Sequence, residues 1–408
     1  MVNINNYWFL MIEPKTFYRK LDFLQSKIDS GKTGKDFLFS IVKELEKTLG
    51  KDLNFINGCI YEKDDPDYFL ISASPKVEKT IKPRLSYEDP AIVLLRKSMT
   101  YIYDSPVFNI DGFEYAEGEY KTHAAFTVSS PTHSWIFVFE LKSGWIREEI
   151  DLCLNAIRTA LNYRLVAESI QNEMEQANQI QQSLLPMVPP EITGFQIAAR
   201  SQPAELVGGD LYDYYMFDEN TWGLCIGDAS GHGLPAALMV RDVITGLRMG
   251  LEKEMKMVYT LKRLNTVIYH AVYSAKFISL FYAEMEKNGN IIFANAGHPS
   301  PLLFDGENFT VLEPTGLIIG AFPKIDISRS YAKLKHGGIL ILFTDGIIER
   351  KNRRSELFEI ERLKSVILEN KDQSADTILH RIFEAANLFG KGKKWEDDAT
   401  VVVIKREK

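Results

Sequence analysis

The sequence predicts an α+β protein built from more than one domain, and three observations support this. At 408 residues, the chain is longer than an ordinary domain of roughly 100 to 200 residues. Strand-like apolar runs alternate with segments of helical periodicity, and one long stretch without Gly or Pro separates two such regions. The hydrophobic content of 45% and charged content of 25% are typical of a packed globular chain.

The first region, residues 1–145, has a mixed pattern and enough apolar residues to form its own core. Two segments place apolar residues at helical spacing, and three have the composition of strands. These are residues 17–28 and 37–49 for the helices, and 55–61, 68–73 and 135–141 for the strands. We therefore expect an independent α+β module here.

Residues 146–185 predict one long helix, because no Gly or Pro interrupts them before Pro186. A 4-3 repeat of seam positions runs through this helix, with Cys153, Ala160, Ala167, Met174 and Gln181 at one position and Ala156, Tyr163, Ile170, Ala177 and Leu184 at the other. The alanines and the glutamine make the seam weak. The helix is either a packed connection or a parallel dimer helix that conveys a signal, and a homodimer is the favoured expectation.

The remaining residues, 186–408, are rich in strands, with helices inserted in pairs. Strands are expected at residues 222–226, 339–343 and 400–404, and helices at 235–251, 255–273, 360–368 and 376–388. A hairpin of residues 277–285 and 291–294 is expected to close near Asn288-Gly289. The nearly continuous apolar strands favour burial inside a sandwich.

Composition excludes several classes of function. The net charge is -7 and the pI is about 5.7, so no global basic field is available to bind nucleic acid. Cys59, Cys153 and Cys225 are too far apart for a zinc motif and are expected to be reduced and buried. No segment has the roughly 20 apolar residues that span a bilayer, so a cytoplasmic protein without membrane association is expected.

Four short motifs place an aspartate where a buried strand is expected to give way to a loop. They are Gly208-Gly209-Asp210, Gly227-Asp228-Ala229-Ser230-Gly231, Thr344-Asp345-Gly346 and Glu396-Asp397-Asp398-Ala399. One Asp-Gly pair is usually only a turn. Four such motifs within one region indicate a carboxylate cluster, and all-oxygen ligation favours a hard cation such as Mg²⁺ or Mn²⁺. Two such ions can activate water for attack at phosphorus.

Residues 180–404 resemble the bacterial SpoIIE/RsbU branch of the PPM family of metal-dependent protein phosphatases. The matching motifs include Gln181-Gln182-Ser183-Leu184-Leu185-Pro186, Gly208-Gly209-Asp210-Leu211-Tyr212-Asp213, Gly227-Asp228-Ala229-Ser230-Gly231-His232-Gly233, Asn295-Ala296-Gly297-His298-Pro299, Phe343-Thr344-Asp345-Gly346 and Asp397-Asp398-Ala399-Thr400. The resemblance implies an αββα sandwich of two antiparallel sheets. It also implies a serine/threonine phosphatase acting on a phosphorylated regulatory protein, such as a STAS-type anti-sigma-factor antagonist.

The resemblance further implies a site for two Mn²⁺ or Mg²⁺ ions. Asp228 would bridge both ions, and the carbonyl of Ala229 would bind one of them. Asp345 and Asp397 would hold the other ion, while Asp210 would hold metal-bound water. The next aspartate in that motif, Asp213, would either assist in this or stabilise its own loop, and Asp398 would be a turn or supporting residue.

Three basic or titratable side chains bear on the same site. His232 and His298 have the chemistry of general acids, but a structural hydrogen-bonding role is favoured for both. Arg200 is the one basic residue shortly before Asp210, so the phosphate-gripping arginine of the eukaryotic relatives is not evident. Metal ions alone would then have to neutralise the phosphate.

The order of elements in residues 1–145 resembles a GAF sensor domain. The resemblance is topological and implies a module that binds a small molecule, binds a protein or only dimerises. Two other interpretations of the whole chain stay open. One is a catalytically silent sensor or scaffold that keeps the phosphatase fold, which the intact aspartates disfavour. The other is a metal-dependent nuclease or cyclase, which the charge balance disfavours.

Overall fold

The computed structural model describes most of the chain. It covers residues 34–51, 53–76, 81–105, 108–110, 121–231, 233–251, 256–271 and 277–407, together with Arg19. The predicted helix at residues 17–28 lies outside the described residues apart from Arg19. Two compact units are present, Met1–Asn172 and Glu173–Lys408. In the described residues, none of the helices has the length and apolar character needed to span a membrane.

The first unit is built on a six-stranded antiparallel sheet in the order β3-β2-β1-β6-β5-β4. Its strands are β1 (Phe55–Asp64), β2 (Asp67–Ala73), β3 (Arg84–Leu85), β4 (Thr100–Tyr103), β5 (Thr122–Ser129) and β6 (Ser134–Leu141). Its helices are α1 (Gly34–Leu49), α2 (Pro90–Ser98) and the first part of α3 (Arg147–Gln182). The prediction of an α+β module is confirmed, whereas its likeness to a GAF domain stays a prediction.

Both faces of this sheet are buried, as the alternation along β6 shows. Phe137 and Phe139 point to a core that α1 and α3 cover, whereas Ile136 and Val138 point to a second core that α2 covers. Successive residues of a strand face opposite sides, so one strand serves two cores. Helix α2 begins at an N-cap, where the side chain of Asp89 accepts a hydrogen bond from the N–H of Ala91.

The long predicted helix is observed as α3, but its predicted seam is only partly exposed. Cys153 is fully buried in the core of the first unit, where Leu154 and Leu161 pack beside it. The prediction that Cys153 faces a partner helix is therefore wrong. Tyr163 and Ile170, at the other seam position, are 79% and 51% exposed. The helix uses one side for its own domain and leaves the second seam position open.

The second unit contains two five-stranded sheets. The first has the order β14-β11-β10-β9-β8 and the second the order β13-β12-β15-β16-β7. Their strands are β7 (Phe195–Gln202), β8 (Asp210–Met216), β9 (Thr221–Ala229), β10 (Ile278–Glu286), β11 (Asn290–Ala296), β12 (Leu302–Phe304), β13 (Phe309–Val311), β14 (Ser330–Lys333), β15 (Ile339–Phe343) and β16 (Ala399–Arg406). The predicted hairpin is confirmed, with Gly289 in its turn at φ +88°.

Helices cover the outer face of each sheet of the second unit. They are α4 (Leu234–Leu251) and α5 (Met257–His270) on the first sheet, and α7 (Glu359–Glu369) and α8 (Ala375–Phe389) on the second. The short α6 (Asp345–Ile348) follows β15. Residues Leu340 and Leu342 of β15 pack between the sheets, whereas Ile341 packs under the outer helices. The predicted αββα sandwich is confirmed.

The three cysteines are free and buried, as predicted. Burial raises the pKa of each thiol above its usual range. A thiol with a raised pKa is a poor nucleophile at neutral pH. They therefore act as small apolar side chains.

Candidate metal and active site

Asp210 and Asp228 lie side by side in the first sheet of the second unit. They form a direct pair in the antiparallel register of β8 and β9. Asp210 is 3% exposed, and its Oδ2 accepts a hydrogen bond of 2.8 Å from Thr344 Oγ1. Burial, and after it the neighbouring charge of Asp228, raises the pKa of Asp210 well above its usual value. Two carboxylates are thus held together where water cannot fully solvate them.

The position of the four aspartates corrects one expectation. Asp228 and Asp345 come at the end of a strand, as predicted, because β9 ends at Ala229 and Asp345 follows β15. Asp210 is instead the first residue of β8, and Asp397 precedes β16. In an antiparallel sheet, the start of one strand lies beside the end of the next. All four motifs can therefore lie at the same end of the sandwich, which we call the edge, even though two of them precede a strand.

Electrostatic coupling joins the two sheets at this edge. Burial raises the pKa of Asp228 to about 7, and the carboxylates of Asp345, Asp397 and Asp398 add to the rise. Burial, followed by the charges of Asp397 and Glu349, raises the pKa of Asp345 to about 6. Carboxylates that raise one another's pKa repel at neutral pH, and a divalent cation relieves that repulsion.

The loop of Asp345 is packed directly onto the loop of Asp397. A Cβ at Gly346 would clash with the carbonyl oxygen of Asp398. Thr344 completes the contact, since its backbone N–H donates to Thr400 O at 3.0 Å and its hydroxyl accepts from Thr400 N–H at 2.9 Å. Only a glycine at position 346 permits this separation. The two candidate ligands are thereby fixed relative to each other.

Asp398 ties the Asp397 loop to the Asp210 loop. Its carboxylate accepts hydrogen bonds from the backbone N–H groups of Ala204, at 2.7 Å, and of Gly209. It is 7% exposed, and burial raises its pKa. Asp398 therefore holds the loop that precedes Asp210, in agreement with the predicted supporting role.

Gly209 lies against the chain that follows Asp228. The carbonyl of Gly209 accepts a 3.0 Å hydrogen bond from Ala229 N–H. A Cβ on Gly209 would lie 2.8 Å from the carbonyl oxygen of Ala229, the predicted backbone ligand. Only a residue without a side chain fits this close approach to Ala229.

Asp213 is turned away from this edge and into an ion pair. Arg248 donates to it twice, from Nε at 2.8 Å and from Nη2 at 3.1 Å. The same Nη2 donates to the carbonyl of Leu184 at 3.2 Å. Of the two roles left open for Asp213, the observed contacts favour stabilisation of its own surroundings.

Gln181, at the end of α3, is bonded to the loop before Asp210. Its Nε2 donates to the carbonyl of Gly208, and its Oε1 accepts from Gly208 N–H at 3.0 Å. The side chain is buried, at 7% exposure. A cavity of about 430 Å³ lies beside this contact, and Asp210 and Tyr212 are among the residues that line it. Any displacement of Gln181 would break these hydrogen bonds or move the Asp210 loop with it.

His298 acts as a structural residue behind the site. It is 2% exposed, and burial lowers its pKa to about 3, so the imidazole is neutral. Its Nδ1 lies 2.9 Å from Ser279 Oγ, and its backbone N–H donates to Asn295 Oδ1 at 2.9 Å. Ser279 pairs with Asp228 in the sheet. These contacts favour the predicted structural role of His298, whereas His232 lies outside the described residues.

Two arginines differ from what the sequence suggests. Arg200 lies with its guanidinium 4.5 Å from the ring centroid of Phe383, so it packs on α8. Arg350 was not predicted at all, yet its side chain is fully buried. It donates to the carbonyls of Lys393 and Lys394 and to the carboxylate of Glu396. These acceptors immediately precede Asp397, so Arg350 holds that loop in place.

The donor set fits a hard divalent cation. Within the described residues, no three His, Cys, Asp or Glu side chains already converge as ligands of a single ion. Magnesium usually keeps several waters and needs only one or two protein carboxylates. The raised pKa values of Asp228 and Asp345 mark crowded negative charge that such an ion would neutralise. The edge can therefore accept cations that bring most of their own water.

Comparisons with known proteins agree with this geometry. A family model described as Stage II sporulation protein E (SpoIIE) matches residues 218–407. The phosphoserine phosphatase RsbU of Bacillus subtilis is 29% identical over 248 residues, which cover 60% of this chain and 73% of RsbU. The phosphoserine phosphatase RsbP of the same organism is 28% identical over 187 residues, covering 43% of this chain and 45% of RsbP.

Solved structures show the same fold. The SiaA-PP2C domain of Pseudomonas aeruginosa matches with a TM-score of 0.54 and 19% identity, over 59% of this chain and 98% of that domain. The second unit thus has the PP2C fold. More narrowly, residues 218–407 of this unit match the SpoIIE-type phosphatase domain of the PPM family. The predicted family and enzyme class are confirmed for this unit.

Proposed function

We propose that this chain is a metal-dependent phosphatase that hydrolyses phosphoserine or phosphothreonine on a regulatory protein. The observation that carries the proposal is the coupling of Asp228 to Asp345, Asp397 and Asp398 across the two sheets. A cluster of buried like charges destabilises a fold unless cations neutralise it. This cost argues against the alternative of a silent scaffold.

Two Mn²⁺ or Mg²⁺ ions are proposed as cofactors. Asp228 would bind both, Asp345 and Asp397 would bind one, and the carbonyl of Ala229 would bind the other. When bound, such ions polarise a water molecule and neutralise the phosphate. Asp210 would orient that water, because Thr344 Oγ1 already fixes one of its carboxylate oxygens.

The substrate class is proposed from the relatives. RsbU and RsbP are both named phosphoserine phosphatases. The sequence resemblance implies a STAS-type anti-sigma-factor antagonist as the phosphorylated partner. The chain spans 73% of RsbU but only 45% of RsbP, so the regulation of those proteins does not carry over as a whole.

A phosphopeptide assay tests the activity. Purified protein should release phosphate from a phosphoserine peptide with Mn²⁺ or Mg²⁺, and chelation should abolish the release. Asp228→Asn should be inactive, whereas Asp326→Asn, which alters an exposed aspartate away from the four motifs, should match the wild type. Mn²⁺ titration calorimetry should show tight binding only where Asp228 is intact. Wild-type rates in Asp228→Asn at saturating metal would rule out the proposed site.

The first unit is proposed to control the phosphatase through α3. The contact of Gln181 with Gly208 gives that helix a direct connection to the Asp210 loop. Inserting one residue after Gln171 turns the following helix by about 100°, whereas inserting seven nearly restores its phase. We expect the single insertion to lock activity on or off and the seven-residue insertion to keep regulation. Identical activities of the two insertions would make α3 a passive connection.

A further inference from the structure

Two loops beside the candidate site carry a group of exposed cations. We call this group the basic rim and define it as Lys351, Arg353, Arg354, Lys391, Lys393 and Lys394. All six are exposed, and none forms an ion pair or a side-chain hydrogen bond with another described residue. The chain as a whole carries a net charge of -7, so this local excess of unpaired cations runs against the overall balance.

The two loops form one surface because Arg350 joins them. Its guanidinium donates to the carbonyls of Lys393 and Lys394 in the second loop. Its own carbonyl accepts from Phe358 N–H at 2.9 Å, which closes the first loop around Arg353 and Arg354. The cations of the rim are therefore presented together from a buried anchor.

The basic rim is close enough to the site for a protein substrate to cover both. Lys394 precedes Asp397 by three residues, a span of at most about 11 Å. Lys351 lies three residues beyond the end of α6, which begins at Asp345. A typical protein interface covers about 800 Å² per partner, equivalent to a disc of about 16 Å radius. A substrate seated over Asp345 and Asp397 would thus contact rim residues.

The acidic residues of the same loops are already engaged. Glu396 accepts a hydrogen bond from Arg350, and Glu356 accepts one from Asn352 at 2.7 Å. Glu349 lies near enough to Asp345 to raise its pKa, on the side of the candidate metal ligands. Glu356 keeps its negative charge, because Asn352 is a neutral donor, and it offsets one of the six rim cations. The basic rim therefore keeps an excess of positive charge.

We propose that the basic rim is a docking surface for an acidic face of the phosphoprotein substrate, next to its phosphorylated residue. This inference rests on the proposed function and extends it to the class of substrate. Exposed charges mainly raise the rate of encounter and fix orientation, and salt screens them. Recognition at the rim therefore acts on kcat/KM for acidic substrates and leaves the chemistry at the aspartates unchanged.

The test compares two phosphoserine peptides that differ only in their flanking residues, glutamate in one and alanine in the other. Two rim variants, Arg353→Glu/Arg354→Glu and Lys393→Glu/Lys394→Glu, are measured with the full-length protein and Mn²⁺. The matched control is Lys287→Glu/Lys333→Glu, at the far end of β10 and β11 from Asp228. Hydrolysis of p-nitrophenyl phosphate reports on the catalytic centre alone.

The wild type should prefer the acidic peptide. Each rim variant should lose about tenfold in kcat/KM for it, since each replaces two exposed cations with two charges that repel the acidic peptide. Both rim variants should keep the wild-type rate on p-nitrophenyl phosphate, and the control should keep both activities. Raising the ionic strength from about 0.01 M to about 0.15 M shortens the screening length from about 30 Å to about 8 Å, so it should reduce the preference.

Three outcomes would overturn the inference. Equal kcat/KM for the two peptides in the wild type is one, and equal losses in the rim and control variants are another. The third outcome is that the rim variants lose binding to phosphatidylserine vesicles or to a single-stranded oligonucleotide but keep the preference for the acidic peptide. Fluorescence anisotropy of the labelled acidic peptide measures docking without turnover. Docking at the rim without any phosphatase activity would contradict the proposed function instead.

Discussion

The two sheets of the second unit supply their aspartates in different ways. Asp210 and Asp228 belong to strands, and the ladder of β8 and β9 sets their separation. Asp345 and Asp397 belong to a short helix and a loop, outside any ladder. The ladder sets the spacing of the strand-borne pair, and side-chain contacts hold the loop before Asp210. The loop-borne pair has no ladder and depends entirely on side chains and on one close backbone contact.

That contrast explains why Arg350 and Gly346 lie where they do. Arg350 anchors the chain that leads into Asp397, and Gly346 lets the Asp345 loop touch the backbone of Asp398. A buried arginine is costly unless its donors are satisfied, and Arg350 uses both terminal nitrogens of its guanidinium for these contacts. The loop-borne half of the site is therefore the more sensitive half to mutations distant from the carboxylates.

The largest effect is expected from the aspartates themselves. Asp228→Asn should reduce kcat by more than about 100-fold, because even partners of metal ligands are worth about 10- to 100-fold. Asp397→Asn should cost less, since Asp397 would serve one ion rather than two. Phosphatase rates across a Mn²⁺ titration measure both. A greater loss in Asp397→Asn would reverse the assignment of the bridging ligand.

The next largest effect is expected from Arg350→Met. Removing the guanidinium leaves Glu396 and two carbonyls without their donor. Glu396 is 39% exposed and can be solvated by water, so we expect the loss of about 1–3 kcal/mol that unpaired polar groups cost rather than that of a fully buried ion pair. Mn²⁺ affinity should fall as well, because Asp397 loses its anchor. Denaturant unfolding and calorimetry measure the two effects. Arg381→Met is the control, since its exposed pair with Glu384 should cost under about 1 kcal/mol.

If Arg350→Met lowered stability but left Mn²⁺ affinity unchanged, Arg350 would support the fold without positioning Asp397. Arg350→Lys separates the two roles further. A lysine keeps the charge but cannot reach three acceptors with a planar fork. It should restore part of the stability and less of the metal affinity.

Gly346→Ala should have a smaller effect of the same kind. Its methyl group would meet the backbone of Asp398, which cannot rotate away, and overpacking of this sort costs about 1–3 kcal/mol. Gly246→Ala makes the same change on α4, where the nearest neighbour is the flexible end of Leu264. Thermal unfolding should show a loss for the first and none for the second. A neutral Gly346→Ala would mean that the two loops can separate freely.

The smallest effect concerns pH in the absence of metal. The folded protein holds protons on Asp228 and Asp345 up to about pH 7 and about pH 6, respectively, whereas the unfolded chain releases them near pH ~4. The folded state therefore binds more protons in that window, so its stability should fall as pH rises from about 4 to about 7. Added Mn²⁺ should reverse the fall. Chemical unfolding with and without chelator measures this pH dependence of the free energy of unfolding. A metal-free stability that rises with pH would contradict the proposed repulsion among the buried carboxylates.

Periodic segments of the fold could be predicted from sequence, and segments without a period could not. Helix α3, the hairpin of β10 and β11 and the buried β15 all have clear patterns, and all are observed. Strand β8 was not predicted, because Asp210 follows two glycines and resembles a turn. The seam error at Cys153 has a similar origin. A heptad pattern shows that a helix has an apolar stripe, but not whether its own domain or a partner covers it.

The site was predictable only where short motifs carry it. Each aspartate stands in a local motif, so the sequence alone is enough to name the candidate ligands. The contacts that hold them could not be predicted, since Gln181 reaches 27 residues along the chain to Gly208, and Arg350 reaches 43 to Lys393. Arg350 also lies in a run of charged residues, which usually indicates a solvent-exposed loop. Nothing local distinguishes it from Arg353 or Arg354.

The bond between Gln181 and Gly208 is uncharged on both sides. A carboxamide offers one donor and one acceptor in a single plane, and Gly208 presents the complementary carbonyl and N–H. A glutamate at position 181 would accept the hydrogen bond from Gly208 N–H, but its second carboxylate oxygen would lie against the carbonyl oxygen of Gly208 and repel it. Acid, salt and chelators act on the aspartates beside it, but none of them acts on an amide pair. We therefore expect the end of α3 to stay attached to the Asp210 loop under conditions that would remove bound cations.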